Sequence, residues 1–164
     1  QATAEGESAL LQAVALAVGA ARKVVDLFAG SGTFSIPLAE RAEVHAVEGE
    51  ATMTAALEKG ARNAEGLKRL TVETRDLFRR PLEPDEFKGV EAVVIDPPRA
   101  GAEAQVDRLA ATKVPVIAYV SCNPVTFARD AKVLIAAGYR LDWVQVVDQF
   151  RWSSHVELAA RFSR

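Results

Sequence analysis

Two stretches of the sequence pair residue types that could make and break a covalent bond. Ser121-Cys122-Asn123-Pro124 holds the chain's single cysteine. Asparagine is a good helix N-cap and proline suits the first helical position, so a helix should start just after Cys122. The partial positive charge of a helix start favours thiolate, the nucleophilic form of cysteine. His155-Val156-Glu157 stands in an apolar run, where a carboxylate is costly unless paired or functional. Partial burial raises a glutamate's pKa and makes it a better general base near neutrality. Cys122 and Glu157 are thus candidates for a nucleophile and a base. Each also has a plain alternative: an inert buried thiol, and an edge-strand charge that discourages aggregation.

A second group of residues is suited to holding a nucleotide. In Asp26-Leu27-Phe28-Ala29-Gly30-Ser31-Gly32-Thr33, Gly30 and Gly32 permit a tight turn and let a ligand approach the backbone. The dinucleotide pattern fails at its third glycine, where Ser35 stands, and the Gly-Lys-Ser/Thr of a P-loop is absent. Glu48, at the end of the next apolar run, is placed to accept the two hydroxyls of a ribose. Asp76 holds the matching place one strand later, suited to an adenine amino group. These positions describe an adenosine pocket without separating NAD from S-adenosylmethionine. Asp96-Pro97-Pro98-Arg99-Ala100-Gly101 ends a further apolar run. Its prolines stop the strand and stiffen the loop, which holds the Asp96 carboxylate in place.

The elements that must position these residues follow from periodicity. Helices are predicted over 5–19, 33–40, 51–64, 102–110 and 124–136, the last ending at Gly138. Strands are predicted over 24–28, 44–47, 70–74, 90–95 and 116–120, with two more apolar runs at 141–147 and 155–162. Alternation of strand and helix implies a mostly parallel, doubly wound α/β sheet of seven strands. The last two strands have only a loop between them and should form an antiparallel hairpin at one edge. Ligands in such sheets sit at the carboxyl ends of the strands, near the switch in strand order. Phe28, Glu48, Asp76, Asp96 and Cys122 fall at or just after those ends, while His155 and Glu157 lie within the last predicted strand.

Composition sets the outer limits. The 164 residues suit one domain; 49% are hydrophobic and 26% charged, the balance of a soluble globular chain. No apolar stretch is long enough to span a bilayer and no secretory signal opens the chain, so a cytoplasmic setting is expected. The chain begins with Gln and is read as a piece of a longer protein. One cysteine allows no internal disulfide, and no cysteine-ligated zinc or iron–sulfur site. Net charge is −2, but residues 59–80 hold seven basic side chains against three acidic ones. That stretch is either a solvated helix face and turn or a phosphate-facing patch.

Taken together these motifs resemble the catalytic domain of the RNA (uracil-5-)-methyltransferase family, over essentially the whole chain. Ser121-Cys122-Asn123-Pro124 followed by His155-Val156-Glu157 carries most of the resemblance. It implies a Rossmann-like class I methyltransferase fold, S-adenosyl-L-methionine as cofactor, tRNA or 23S rRNA as partner, and no metal. It also implies residue roles. Gln1 falls where a glutamine contacts the cofactor, and Phe28 and Thr33 line its methionine end beside Gly30 and Gly32. Glu48 takes the ribose, Asp76 the adenine side and Asp96 the transfer site, while Cys122 is the nucleophile and Glu157 the base. Many members have asparagine at the place of Thr33. Full-length members carry an N-terminal OB-like RNA-binding domain and many hold an iron–sulfur cluster, neither of which this sequence includes.

Uracil C5 is a weak nucleophile, and addition of a thiolate to C6 would activate it; a base must then remove the C5 proton. Three other readings compete. An amino-group methyltransferase usually has an aromatic residue where Arg99 stands, and has no use for a nucleophilic cysteine. A non-catalytic nucleotide- or RNA-binding module leaves Cys122 and Glu157 unexplained. An NAD dehydrogenase lacks any hydride-transfer site.

Overall fold

The computed structural model describes residues 3–148 and 156–164. Seven strands form one sheet in the order β3-β2-β1-β4-β5-β7-β6. They are β1 (Lys23–Leu27), β2 (Glu43–Glu48), β3 (Leu70–Thr74), β4 (Ala92–Ile95), β5 (Val116–Ser121), β6 (Arg140–Val147) and β7 (Glu157–Ser163). The first five run parallel, and β7 lies antiparallel between β5 and β6. The helices are α1 (Ala4–Val18), α2 (Ser35–Ala39), α3 (Ala51–Asn63), α4 (Glu103–Ala110) and α5 (Pro124–Ala136). This is the predicted seven-stranded α/β sheet with its antiparallel hairpin at one edge. Strand order reverses at β1, whose neighbours are β2 and β4, so the crevice for a ligand opens there.

Alternation along the strands divides the core into two layers. Val25, Leu27, Val93, Ile95, Ile117, Tyr119 and Phe162 form one buried cluster with residues of α4 and α5. Val24, Val44, Ala92, Val94, Ala118, Val120 and Ala159 form the other, under α1 and α2. The central strand β4 is buried at every residue, as a parallel strand covered on both faces must be. Among the described residues no helix is long and apolar enough to cross a membrane.

Element ends show where local chemistry overrode periodicity. Strand β4 starts at Ala92 rather than 90, because the Val90 N–H closes a turn onto the Phe87 carbonyl (3.0 Å) after the short 3-10 helix Pro84–Phe87. Helix α1 starts where Thr3 caps it, its hydroxyl accepting from the Gly6 N–H at 3.0 Å. Phe28 leaves β1 because its φ is +60°. Gln1, expected to contact the cofactor, and His155 of the His155-Val156-Glu157 motif fall outside the described residues.

Candidate active site

The turn after β1 is built on an unusual backbone. Phe28 occupies the left-handed region, uncommon for a bulky residue and frequent at functional sites. Two neighbours hold it there: the Ala29 N–H donates to the Val47 carbonyl (3.1 Å) and the Asp96 N–H to the Leu27 carbonyl (3.3 Å). The Phe28 ring lies 5.4 Å from that of Phe78. Glu48, the last residue of β2, accepts from the Gly30 N–H and the Glu50 N–H, both at 2.9 Å. One carboxylate thereby fixes the glycine turn and the loop entering α3, and a carboxylate keeps lone pairs beyond those two bonds.

These groups border a cavity of about 560 Å³ whose wall includes Phe28, Gly30, Glu48, Asp76 and Asp96. Asp76 Oδ1 accepts from the N–H groups of Phe78 (2.9 Å) and Arg79 (3.3 Å), so that oxygen orders its own loop. A Cβ at Gly30 would meet nothing within 4 Å, leaving its side open. Gly32 and Thr33 are not brought to this wall. At Gly32 an added Cβ would lie 2.3 Å from Leu57 Cδ1, so that glycine is required by the packing of the turn on α3. Met53, Phe78, Pro97 and Pro98 also border the cavity. Met53 and Phe78 are not marked by the sequence, because two apolar side chains half in solvent give no periodic signal.

Buried acids gather beside the cavity. Asp26 is fully buried; its Oδ2 accepts from the Ser35 hydroxyl at 2.5 Å, while Oδ1 has no hydrogen-bond partner. Burial pushes its pKa up to about 7, with the charge of Glu48 adding to the rise and Ser35 opposing it. Asp96 also rises to about 7, through burial first and then the charges of Asp26 and Glu157.

Cys122 is half-buried, directly before α5. The cap forms as the sequence predicts: Asn123 Oδ1 accepts from the Val125 N–H at 3.1 Å, with Pro124 next in the helix. The expected lowering of the thiol pKa is not found. Burial pushes it up, as do the charges of Asp96 and Glu157, against an opposing pull from Arg99. The helix start is outweighed by desolvation and two carboxylates. Strands β5 and β7 are paired through Ser121 and Leu158; one step further the register sets Cys122 opposite Glu157. The structure therefore brings Cys122, Glu157 and Asp96 within electrostatic reach of one another at one sheet end, although the first two are 35 positions apart in sequence. The basic stretch is partly neutralised: Arg62 pairs with Glu58, Arg75 with Glu73 and Glu86, and Arg79 with Asp76.

Comparison with known proteins identifies the family of the chain. The chain is 54% identical to an uncharacterized RNA methyltransferase of Rhizobium meliloti strain 1021, matching all of this chain and 40% of that protein. It is 40% identical to the 23S rRNA (uracil(1939)-C(5))-methyltransferase RlmD of Pectobacterium atrosepticum, over 85% of this chain and 31% of that one. The crystal structure of Pyrococcus abyssi tRNA (uracil-54, C5)-methyltransferase with S-adenosyl-L-homocysteine superposes with a TM-score of 0.82 at 33% identity, covering 95% of this chain and 38% of that chain. The chain thus spans about two fifths of the length of such relatives or less. The model of the tRNA (uracil-5-)-methyltransferase family matches residues 3–164, and the chain belongs to that family.

Proposed function

We propose that this chain is the catalytic domain of an enzyme that methylates C5 of a uridine in tRNA or rRNA, with S-adenosylmethionine as donor. The observation that carries the reading is the register of β5 against β7, paired as far as Ser121 and Leu158, the neighbours of Cys122 and Glu157, with Asp96 of the cavity wall in electrostatic reach of both. The cavity suits the cofactor by its own features: an open side at Gly30, the Glu48 carboxylate for ribose hydroxyls, and the Phe28 and Phe78 rings as apolar wall. Gln1 and Thr33 remain as contacts proposed from the family resemblance. When bound, the cofactor supplies an electrophilic methyl group on a sulfonium centre.

The residues then have separate tasks. The target base is extruded from its stack to reach the pocket. Cys122 thiolate adds to C6 of uracil, forming an S–C6 bond and moving the C5–C6 pair onto C5 and O4 as an enolate. C5 then takes the methyl group, whose bond to the sulfonium sulfur breaks and leaves a neutral thioether. Glu157 accepts the C5 proton; the C5–C6 double bond re-forms and the S–C6 bond breaks, returning the thiolate. Asp96 lies between the two tasks, in the cavity wall and within electrostatic reach of Cys122.

The experiment is a denaturing gel of the full-length protein with RNA and cofactor. Glu157→Gln keeps the shape and removes the base, so a methylated covalent adduct should persist as a slow band. Cys122→Ala should give neither adduct nor product. Uridine methylation at a normal rate by Cys122→Ala would sink the covalent route and favour amino-group methylation.

A further inference from the structure

Loop 97–102 joins the two halves of the site. It begins after Asp96, in the cavity wall, and carries Arg99, whose positive charge reaches Cys122. The loop has no regular structure, yet three of its backbone groups are held by one face of α5. The Arg99 carbonyl accepts from Asn123 Nδ2 (3.0 Å) and the Thr126 hydroxyl (3.2 Å). The Ala100 carbonyl accepts from Arg129 Nη2 (3.1 Å), and the Ala102 N–H donates to Asp130 Oδ2 (2.8 Å). Positions 123, 126, 129 and 130 follow the spacing of a single helix face.

Asp130 is the centre of this arrangement. Only 1% exposed, its carboxylate also takes the Tyr119 hydroxyl at 2.6 Å and the Arg129 guanidinium at 2.7 Å. Tyr119 belongs to β5, the strand that ends at Cys122. Gly101 lies against the same groups at φ +77°, where a Cβ would stand 2.6 Å from Arg129 Nη2 and 2.9 Å from Asp130 Oδ2. Apolar packing would anchor a short loop as well as a buried charge does. What a fully hydrogen-bonded network adds is a single geometry.

We infer that the Tyr119–Asp130–Arg129 network is a positioning device: it locks loop 97–102 to the strand and helix flanking Cys122, and so sets Asp96 and Arg99 relative to the thiol. The proposal rests on the methyltransferase reading for its consequence in catalysis, but its geometry can be tested without turnover. Asp130 touches no reacting atom; it acts through the loop.

The test uses the full-length protein with Asp130→Asn, which removes the charge that holds Arg129 but keeps an acceptor. Thr126→Val, at a half-buried position, removes one bond to the Arg99 carbonyl and keeps the test decisive if Asp130→Asn does not fold. Three quantities are measured: cofactor affinity, single-turnover methylation, and the pH profile of Cys122 alkylation by iodoacetamide, read by peptide mass. Cofactor affinity should stay within about twofold while turnover falls roughly tenfold or more, since small misplacements of reacting groups are that costly. The alkylation profile should shift in each variant that folds, because Asp96, whose charge raises the thiol, and Arg99, whose charge lowers it, are no longer held at fixed positions beside it; a merely structural role would leave it unmoved. An unchanged profile overturns the inference, as does a loss of turnover that only tracks lost cofactor affinity. If the wild-type protein makes no 5-methyluridine, the activity reading fails, and the alkylation profiles still decide this one.

Discussion

Carboxylates at the strand ends differ in what satisfies them, and that decides what each can do. Glu48 is held by two backbone N–H groups and faces the cavity. Asp26 has one hydroxyl partner and a buried oxygen with none. Its pKa in the fold, about 7, lies above the ordinary 3.8. The folded protein therefore binds more protons than the unfolded chain between those values, and stability must fall as pH rises through that window. Above it the loss is complete; below about 4 it is absent. At ~1.4 kcal/mol per unit, the loss is on the order of a few kcal/mol. Asp26→Asn should remove much of this slope, since an amide can sit uncharged beside Ser35. Urea midpoints at pH 5 and pH 8 check it: the wild type should be weaker at pH 8, and the variant should show a smaller difference. Equal wild-type midpoints would mean that the Asp26 charge is satisfied in solution. Asp96 contributes to the same slope, through its burial first and then through repulsion by Asp26.

At the scale of elements, the two glycines of the β1–α2 turn have different reasons to be glycine. Gly30 has φ +56° with open space where a Cβ would go; Gly32 has φ +99° and faces Leu57 and Ile36. Gly32→Ala should destabilise the protein by about 1–3 kcal/mol through overpacking. Gly30→Ala should cost about 1–2 kcal/mol of backbone strain but weaken cofactor binding far more than Gly32→Ala does. Thermal midpoints with cofactor calorimetry separate the two, and equal losses of affinity would show that the turn acts as one unit. The sequence reads Gly30 and Gly32 alike because spacing cannot tell which side of a turn meets a ligand. It reads the sheet well, since continuous apolar runs such as 92–95 and 116–120, separated by a helical segment, mark parallel strands covered on both faces. The juxtaposition of Cys122 and Glu157 follows once β7 is paired with β5. The Asp130 network was not legible: a lone acid within the helix pattern 124–136 reads as solvent-facing until Tyr119 and the 97–102 loop are folded against it. The raised pKa of the thiol is hidden for a related reason, since a helix start is visible in Asn123-Pro124 but the burial and the acids opposing it are not.

The molecule as a whole is better built to hold a nucleotide than to hold RNA. Its 22 acidic residues outnumber 20 basic ones, and Arg62, Arg75 and Arg79 are engaged with Glu58, Glu73, Glu86 and Asp76. RNA affinity comes largely from neutralising phosphates and releasing their counterions, which requires cations that are not already paired. A base must also be pulled from its stack and kept in the pocket, at a cost of a few kcal/mol that contacts elsewhere must offset. Relatives of this chain are more than twice its length, matched over 40% or less. The 164-residue chain should therefore retain cofactor affinity close to that of the full-length protein, because Phe28, Gly30, Glu48, Asp76 and Asp96 of the cavity wall all lie within it. Its RNA affinity should be much weaker, and should fall only shallowly with salt. Filter binding at several salt concentrations measures this directly: the slope of log affinity against log salt should be steep for the full-length protein and near flat for the isolated chain. An isolated chain with the full-length slope would place the phosphate grip in this domain, and Lys59, Lys68, Arg69 and Arg80 of the basic stretch would be the first residues to replace.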